Sequence, residues 1–535
     1  MNSIWNKNFT AFQKRFPQLA QMTGCQPVAP ESIWKLESAK NGMISASEGG
    51  VRLHSAYNPE REASGAVGRE EVFQKSAIVF YGFGLGYHVI ECAKQLKARG
   101  AATLTSATCP RLVLIEPDLA HFFAAMSVLD WTSVFEIENL IIAVGAPAES
   151  VLPLLEDTSQ VNIGNTGVSD AYFFDIPAFT AHAAPYFDTL RSIIKRNQRK
   201  NEINAATLKK FGRLWCHNSL KNLKQLENCA GLAGLESKAA GLPFLILGAG
   251  PSLESILPYL KELSKRAVTI CVETSLHTLL RAGLQPDFIL LTDPQFWAYR
   301  HIAALKAPQS ILITEVSAYP SVFRFDCKKK LLCASQFPVG QYFEAKLGIK
   351  PGDLGTGGSV SSSAWNFAHF CGAKEIFTAG LDLAFPEKQT HIKGSSAEQT
   401  WHTLSSRLTP ADKYTSASLY SANATSGKDY RGNPVLTDSR MKMFAWWFES
   451  RLAACPETKT YTLCPQGLAV PGIIPADIPA LLDRPVLENQ KNDFIGLAER
   501  LSPLAQGLEA KLSQLLSDFP DTDFLSQYPF LREYL

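Results

Sequence analysis

The stretch Phe244-Leu-Ile-Leu-Gly-Ala-Gly-Pro-Ser-Leu-Glu254 constrains the fold more than any other part of the chain. An apolar strand runs straight into Gly248 and Gly250. Pro251 stops the strand and suits the first position of a helix, where its missing N–H costs nothing. Leu253, Ile256, Leu257, Leu260 and Leu263 then recur at helical spacing and predict a helix over 252–265. Strand, glycine turn and helix in that order make an α/β unit. The helix start, with its free N–H groups and partial positive charge, predicts an anion site, most often for phosphate. Leu253 stands where a dinucleotide fingerprint needs its third glycine, and no Gly-Lys-Ser/Thr follows, so neither that fingerprint nor a P-loop is present.

Three further segments are expected at the same carboxyl edge of a parallel sheet, where doubly wound folds bind their ligands. Thr269-Ile-Cys-Val-Glu-Thr-Ser275 is a strand that ends in polar Glu273 and Thr274. In Gln285-Pro-Asp-Phe-Ile-Leu-Leu-Thr-Asp-Pro294, Asp287 opens a buried strand as a cap and Asp293 closes it. Pro294 forces the chain out of the sheet, which leaves the Asp293 carboxylate at the rim. Gly355-Thr-Gly-Gly-Ser-Val-Ser-Ser-Ser363 is a second glycine-rich helix start. It predicts a second anion pocket at Gly357, Gly358 and Ser359. The strand that follows ends in Asp382, and His391 lies a few residues beyond. Two anion-binding helix starts and two rim carboxylates suit a phosphate-bearing donor plus a group that takes a proton from an acceptor.

The expected architecture is α/β in three parts, from 535 residues. Residues 1–177 form an N-terminal cap and a Rossmann-like domain. In it, Gly82, Gly84 and Gly86 follow an apolar strand and Glu116 ends the next one. That pattern is similar to methyltransferase-type folds, where the acid holds a ribose, and it is read here as structural or as a degenerate nucleotide site. Residues 178–240 read as a helical connector. Residues 241–475 form the central domain, with a polar, lid-like loop at 391–436. Residues 476–535 read as amphipathic helices, with Phe494, Leu497, Leu501, Leu504 and Leu508 on one stripe. A net charge of +2 gives no electrostatic reason for nucleic acid or an acidic membrane. No signal peptide and no spanning run are expected, and the eleven scattered cysteines read as reduced thiols of a cytoplasmic protein. The ten histidines do not cluster with the cysteines in sequence, and no metal site is predicted.

Four stretches resemble the motility accessory factor (Maf) family of flagellin glycosyltransferases: Gly248–Leu253, Gly283–Phe288 with Thr292-Asp293, Gly357–Val360, and Ala379–Phe385 with His391. Leu436–Ser439, Trp446-Trp447 and Leu463–Gly467 resemble the family's closing segments. The central domain is also similar to bacterial sialyltransferases that share a Gly-x-Gly-Pro-Ser-Leu loop, with Ala249 here where those carry Asn. The resemblance implies a cytoplasmic enzyme without obligatory cofactor. It would move a pseudaminic- or legionaminic-type nonulosonic acid from its CMP donor to Ser/Thr of flagellin, in support of flagellar assembly and motility. Gly248, Gly250, Ser252, Leu253, Glu273, Thr274, Gly357, Gly358 and Ser359 are then the expected donor-binding residues, and Asp293, Asp382 and His391 the expected catalytic ones. Flagellin is expected to dock on the C-terminal helices. Two alternatives stay open. Archaeal 6-hydroxymethyl-7,8-dihydropterin pyrophosphokinases share the central domain and would hold Mg²⁺-ATP at Asp293. A flagellin-binding accessory protein with a decayed sugar site is the other.

Overall fold

The computed structural model describes residues 3–22, 25–103, 110–155, 171–355, 357–505, 507 and 509–535. The chain forms two compact units, Met1–Thr207 and Leu208–Leu535. The division falls inside one helix of 39 residues, Ala184–Asn222, which covers most of the expected connector.

The first unit contains a small antiparallel sheet of β1 (Lys35–Ser38), β2 (Ile44–Glu48) and β3 (Val51–Arg52). Its main sheet is parallel, with β4 (Ala77–Tyr81), β5 (Arg111–Glu116), β6 (Leu140–Val144) and β7 (Ala171–Asp175) in the order β6-β5-β4-β7. All five residues of β4 are buried, as expected for a strand covered on both faces.

The second unit is built on one nine-stranded sheet. Its strands are β8 (Ala230–Gly231), β9 (Phe244–Leu247), β10 (Val268–Val272), β11 (Phe288–Leu290), β12 (Lys306–Thr314), β13 (Asp326–Leu332), β14 (Glu375–Ala379), β17 (Lys459–Thr462) and β18 (Ile473–Pro475). They run in the order β18-β17-β14-β9-β10-β11-β12-β13-β8, and every pair is parallel. Alternate residues feed two separate cores because successive side chains of a strand point to opposite faces. Phe244, Ile246, Ile270, Phe288 and Leu290 pack on one face; Leu245, Leu247, Cys271 and Ile289 pack on the other. From β9 the chain moves outward through β10–β13 and then returns to β14 on the other side of β9. The order therefore reverses between β9 and β14, and that reversal places the Gly248–Gly250 turn after β9 beside the Gly380–Asp382 turn after β14.

Two sequence expectations are corrected by the structure. The segment after Pro251 is a 3₁₀ helix over Pro251–Tyr259 that becomes α-helical only at Leu260–Ser264. Pro258 lies inside it and has no N–H to donate to the Glu254 carbonyl, so an α-helical bond is missing there. The 391–436 region is not an extended loop. It holds the helices Ser396–Leu404 and Ala411–Ser421 and a hairpin of β15 (Thr425–Lys428) with β16 (Pro434–Thr437). Neither helix contains a fully buried residue, which is why the segment lacks the apolar stripe that marks a helix.

The C-terminal segment is helical, as expected. Phe494 and Ala498 pack into one core of the second sheet, and Leu512, Phe524 and Leu531 pack with Phe343 and Leu226. These apolar side chains are buried within the unit; Leu508 lies outside the described residues. The ten described cysteines are free thiols, and among the described residues no helix is long and apolar enough to cross a membrane.

Candidate functional site

Gly248, Gly250 and Ser252 lie at the reversal between β9 and β14, but their donors already have partners inside the chain. Gly248 N–H donates to Ala379 O and Gly250 N–H to Gly380 O, both at 2.8 Å. Ser252 donates its N–H to Asp382 Oδ2 at 2.9 Å and its hydroxyl to Asp382 Oδ1. The glycines serve the same contact. A Cβ at Gly248 would lie 2.4 Å from Gly380 O, and one at Gly250 would lie 2.4 Å from Asp382 Oδ2. The first turn is therefore glycine-rich because a second turn of this chain presses against it. Leu253 is fully buried in the core, so its side chain is closed to a ligand. Ala249 stays half-exposed, and its carbonyl accepts from Ile392 N–H at 2.9 Å.

Asp382 is 3% exposed. Burial pushes its carboxyl up to about 6, against the pull of the two Ser252 donors. Gly467 and Leu468 close over its backbone, with Leu468 N–H donating to Asp382 O at 2.7 Å. This carboxylate ties turns together and is sealed from an acceptor hydroxyl, so it does not fit the catalytic role expected for it.

Two further carboxylates sit after β10 and β11, Glu273 buried and Asp293 half-buried. Glu273 begins the helix Glu273–Arg281, and its side chain points into a buried space where Oε2 has no hydrogen-bond partner. Thr274 donates its hydroxyl to Glu273 Oε1 at 3.2 Å. Burial pushes Glu273 up to about 7, and the charge of nearby Asp293 adds to that rise. Asp293 is half-buried and accepts from Gln295 N–H at 2.7 Å. Burial raises its carboxyl above the ordinary range while the Gln295 bonds pull it down. Burial favours the neutral form of both carboxyls, and the charge of Asp293 favours a protonated Glu273. Immediately after Asp293, Phe296 and Trp297 stand 46% and 63% exposed.

His391 is on the segment that covers the first turn. Besides the Ile392 bond, Lys393 Nζ pairs with Glu254 Oε2 at 3.1 Å, and Gly394 O meets His277 Nδ1 at 2.8 Å. The imidazole faces Trp401 at 6.5 Å, and burial, with His301 and Arg440 nearby, pushes it down to about 4. At neutral pH it is uncharged. The Gly357–Ser359 turn is spent differently. Ser359 and Ser362 cap each other at the start of the helix Val360–Phe370, and a Cβ at Gly357 would strike Ser362 Oγ at 2.0 Å. Gly358 stays exposed with φ +73°, facing Phe444. Among the described residues no hydrogen bond joins this turn to the one at 248–253.

Asp287 is a structural cap at the opposite edge. It accepts from Thr269 N–H and Oγ1–H at 2.7 Å and pairs with Lys491 at 2.8 Å. Two acids escaped the sequence reading. Glu315 follows β12 and is pushed up to about 7 by burial, and Glu344 is pushed up to about 8 by burial with Glu315 adding. Glu315 had the same signal as Asp293, an apolar strand ending in a carboxylate. Glu344 lies mid-helix in Pro338–Leu347, where local pattern gives no sign that it meets Ser335 N–H at 2.9 Å.

The glycine-rich turn of the first unit is filled by protein. Leu85 N–H donates to His54 Nε2 at 2.9 Å. Cβ atoms at Gly82, Gly84 and Gly86 would meet Phe179 O, His54 and the Trp131 ring. Glu116, placed where a ribose is held in related folds, is buried against His182 at 2.8 Å.

The family described as 6-hydroxymethylpterin diphosphokinase MptE-like matches residues 217–388. An uncharacterized protein of Treponema pallidum (strain Nichols) is 37% identical over 223 residues, 36% of this chain and 57% of its own length. The chain thus spans little more than half of that relative. Another uncharacterized Treponema pallidum protein is 30% identical over 268 residues, 48% of this chain and 85% of its own length. A solved Maf glycosyltransferase from Magnetospirillum magneticum AMB-1 superposes with a TM-score of 0.59 at 15% identity, over 97% of this chain and 81% of that one. The chain carries an MptE-like domain on the fold of a Maf glycosyltransferase, and it belongs to one family with the Treponema pallidum protein of which it covers 85%.

Proposed function

We propose that the chain is a glycosyltransferase that moves a nonulosonic acid of pseudaminic or legionaminic type from a CMP donor to Ser or Thr of flagellin, in the cytoplasm. The observation that carries this reading is the likeness in fold to a Maf glycosyltransferase over nearly the whole chain. The Glu273–Asp293 pair supports it chemically. Transfer to a hydroxyl needs a base within hydrogen-bond reach, and a carboxylate raised toward neutrality is a better base than an ordinary one. Asp293, the more open of the two, takes the acceptor proton, and Glu273 holds or returns one. The donor's leaving phosphate is met at the exposed Gly358 end of the helix Val360–Phe370, since the Gly248–Ser252 donors are occupied within the chain. Phe296 and Trp297, exposed next to Asp293, receive the acceptor in place of the buried C-terminal stripe.

Mass spectrometry of flagellin from cells with and without this protein tests the reading. A sugar-sized mass loss, restored by wild type and not by Asp293→Asn, supports it; an unchanged flagellin mass overturns it.

A second reading draws on the MptE-like match and on the same carboxylate pair, which would suit a Mg²⁺-nucleotide. In the transferase reading no metal is obligatory, and EDTA-treated protein keeps transfer from the CMP donor. Strict Mg²⁺ dependence, with diphosphate transfer from ATP to 6-hydroxymethylpterin, favours the second reading.

A further inference from the structure

The first unit gathers two histidines and two glutamates around one small cavity. Glu48 ends β2, Glu116 ends β5, His121 is on the helix Leu119–Val128, and His182 is in the short 3₁₀ turn Ala181–Ala183. Nothing in local sequence links these four positions; the parallel sheet and the small hairpin sheet bring them together. His121 Nε2 lies 2.9 Å from Glu48 Oε1, and His182 Nε2 lies 2.8 Å from Glu116 Oε1. The two imidazoles stack with centroids 4.1 Å apart. Glu48, His121 and His182 each offer a ligand atom, and all three atoms lie within 4.8 Å of one another.

We propose that this cluster is a binding site for one divalent transition-metal ion, held by His121, His182 and Glu48, with Glu116 beside His182. Three observations support it. The cavity is about 10 Å³, the room of one water-sized sphere, and Trp34, Glu48, Glu116, His121 and His182 are in its wall. The imidazole–carboxylate donor set is the one that borderline ions such as Zn²⁺, Co²⁺ or Mn²⁺ take.

The third observation is the surrounding support. Asp118 Oδ2 stands 3.0 Å from His121 Nδ1, close to the far side of the imidazole but not aligned as a hydrogen bond. Trp34 Nε1–H donates to the other Glu48 oxygen at 3.2 Å. A tetrahedral ion with bonds of about 2.0–2.1 Å spaces its ligands by roughly 3.3 Å. The Glu48–His121 separation of 2.9 Å needs to open by a few tenths of an ångström, and the ligand atoms of Glu48, His121 and His182 already lie within 4.8 Å of one another.

The site is independent of the carboxylate pair after β10 and β11, and its test does not use transfer activity. Full-length protein, stripped with a chelator, is titrated with Co²⁺ and then with Zn²⁺. Wild type should take up one equivalent, and bound Co²⁺ should show visible d–d bands without thiolate charge transfer, which separates this site from the free cysteines. His182→Ala should weaken binding at least tenfold. Glu48→Gln, which keeps the side-chain shape and a hydrogen bond to His121, should weaken it similarly. Circular dichroism melts without metal establish that both variants are folded. No uptake by wild type, thiolate charge transfer as the main signal, or equal affinity in wild type and a folded variant overturns the proposal.

Discussion

Ser252 and Asp382, 130 residues apart, are joined through both the backbone N–H and the hydroxyl of Ser252, with one carboxylate taking both bonds. That double contact locks the turn after β9 to the turn after β14. Asp382→Ala leaves two buried donors without acceptors, at about 1–3 kcal/mol each. Urea unfolding should show a loss of about 2–6 kcal/mol. Asp382→Asn, which keeps one acceptor oxygen, should lose less. Equal stability of wild type and Asp382→Ala would show that the turns hold together without this contact.

Gly250→Val is expected to fail in folding before it fails in ligand binding. Its Cβ would meet Asp382 Oδ2 at 2.4 Å and Gly380 O at 2.7 Å, a carboxylate and a carbonyl that are both fixed in place. The check is a thermal melt of the purified variant without nucleotide. A wild-type melting temperature contradicts the packing described here.

Stability should fall as pH rises from about 5 to about 8. Burial raises Glu315 to about 7 and Glu344 to about 8, so the folded state binds protons that the unfolded chain has already released. A group with a raised folded pKa contributes its full stability below the unfolded value and loses it as pH climbs through the folded one. Glu344→Gln, permanently neutral, should match wild type near pH 5 and exceed it at pH 8. The same stability difference at both pH values would rule the protonated form out.

Asp293→Asn should abolish transfer while the fold persists. Glu273→Gln should retain part of the activity and shift the pH–rate profile, because a buried carboxyl that titrates near neutrality under the influence of Asp293 is removed. Both rates are measured with a CMP-activated sugar and purified flagellin across pH 5–9. An unchanged profile for Glu273→Gln would separate Glu273 from the reaction.

Lys491→Met should destabilise the protein by about 3 kcal/mol without changing donor affinity. It leaves Asp287, whose side chain is 12% exposed, as a buried and partly uncompensated charge at the edge away from the proposed site. Denaturant unfolding and calorimetry with CMP read the two effects separately.

The linear order of residues was enough to place the strands that end at Leu247, Val272, Leu290 and Ala379, because buried parallel strands are continuous apolar runs bounded by turn residues. It was also enough to mark Asp293 as a rim carboxylate and Asp287 as a cap, since Pro294 and the strand start fix both locally. It did not reveal what the glycines at 248 and 250 face. Local sequence says that a backbone can be approached closely; only the reversal between β9 and β14 decides that the approaching group is Gly380–Asp382. The helices within 396–421 were hidden because they bury nothing, and Pro258 was overlooked in favour of the leucine spacing around it. The cluster of Glu48, Glu116, His121 and His182 has no sequence signature at all. Its members come from four segments separated by up to 134 positions. Spacing along a chain carries information only where neighbours in sequence share a face, and contacts between distant segments exist only once the sheet has closed.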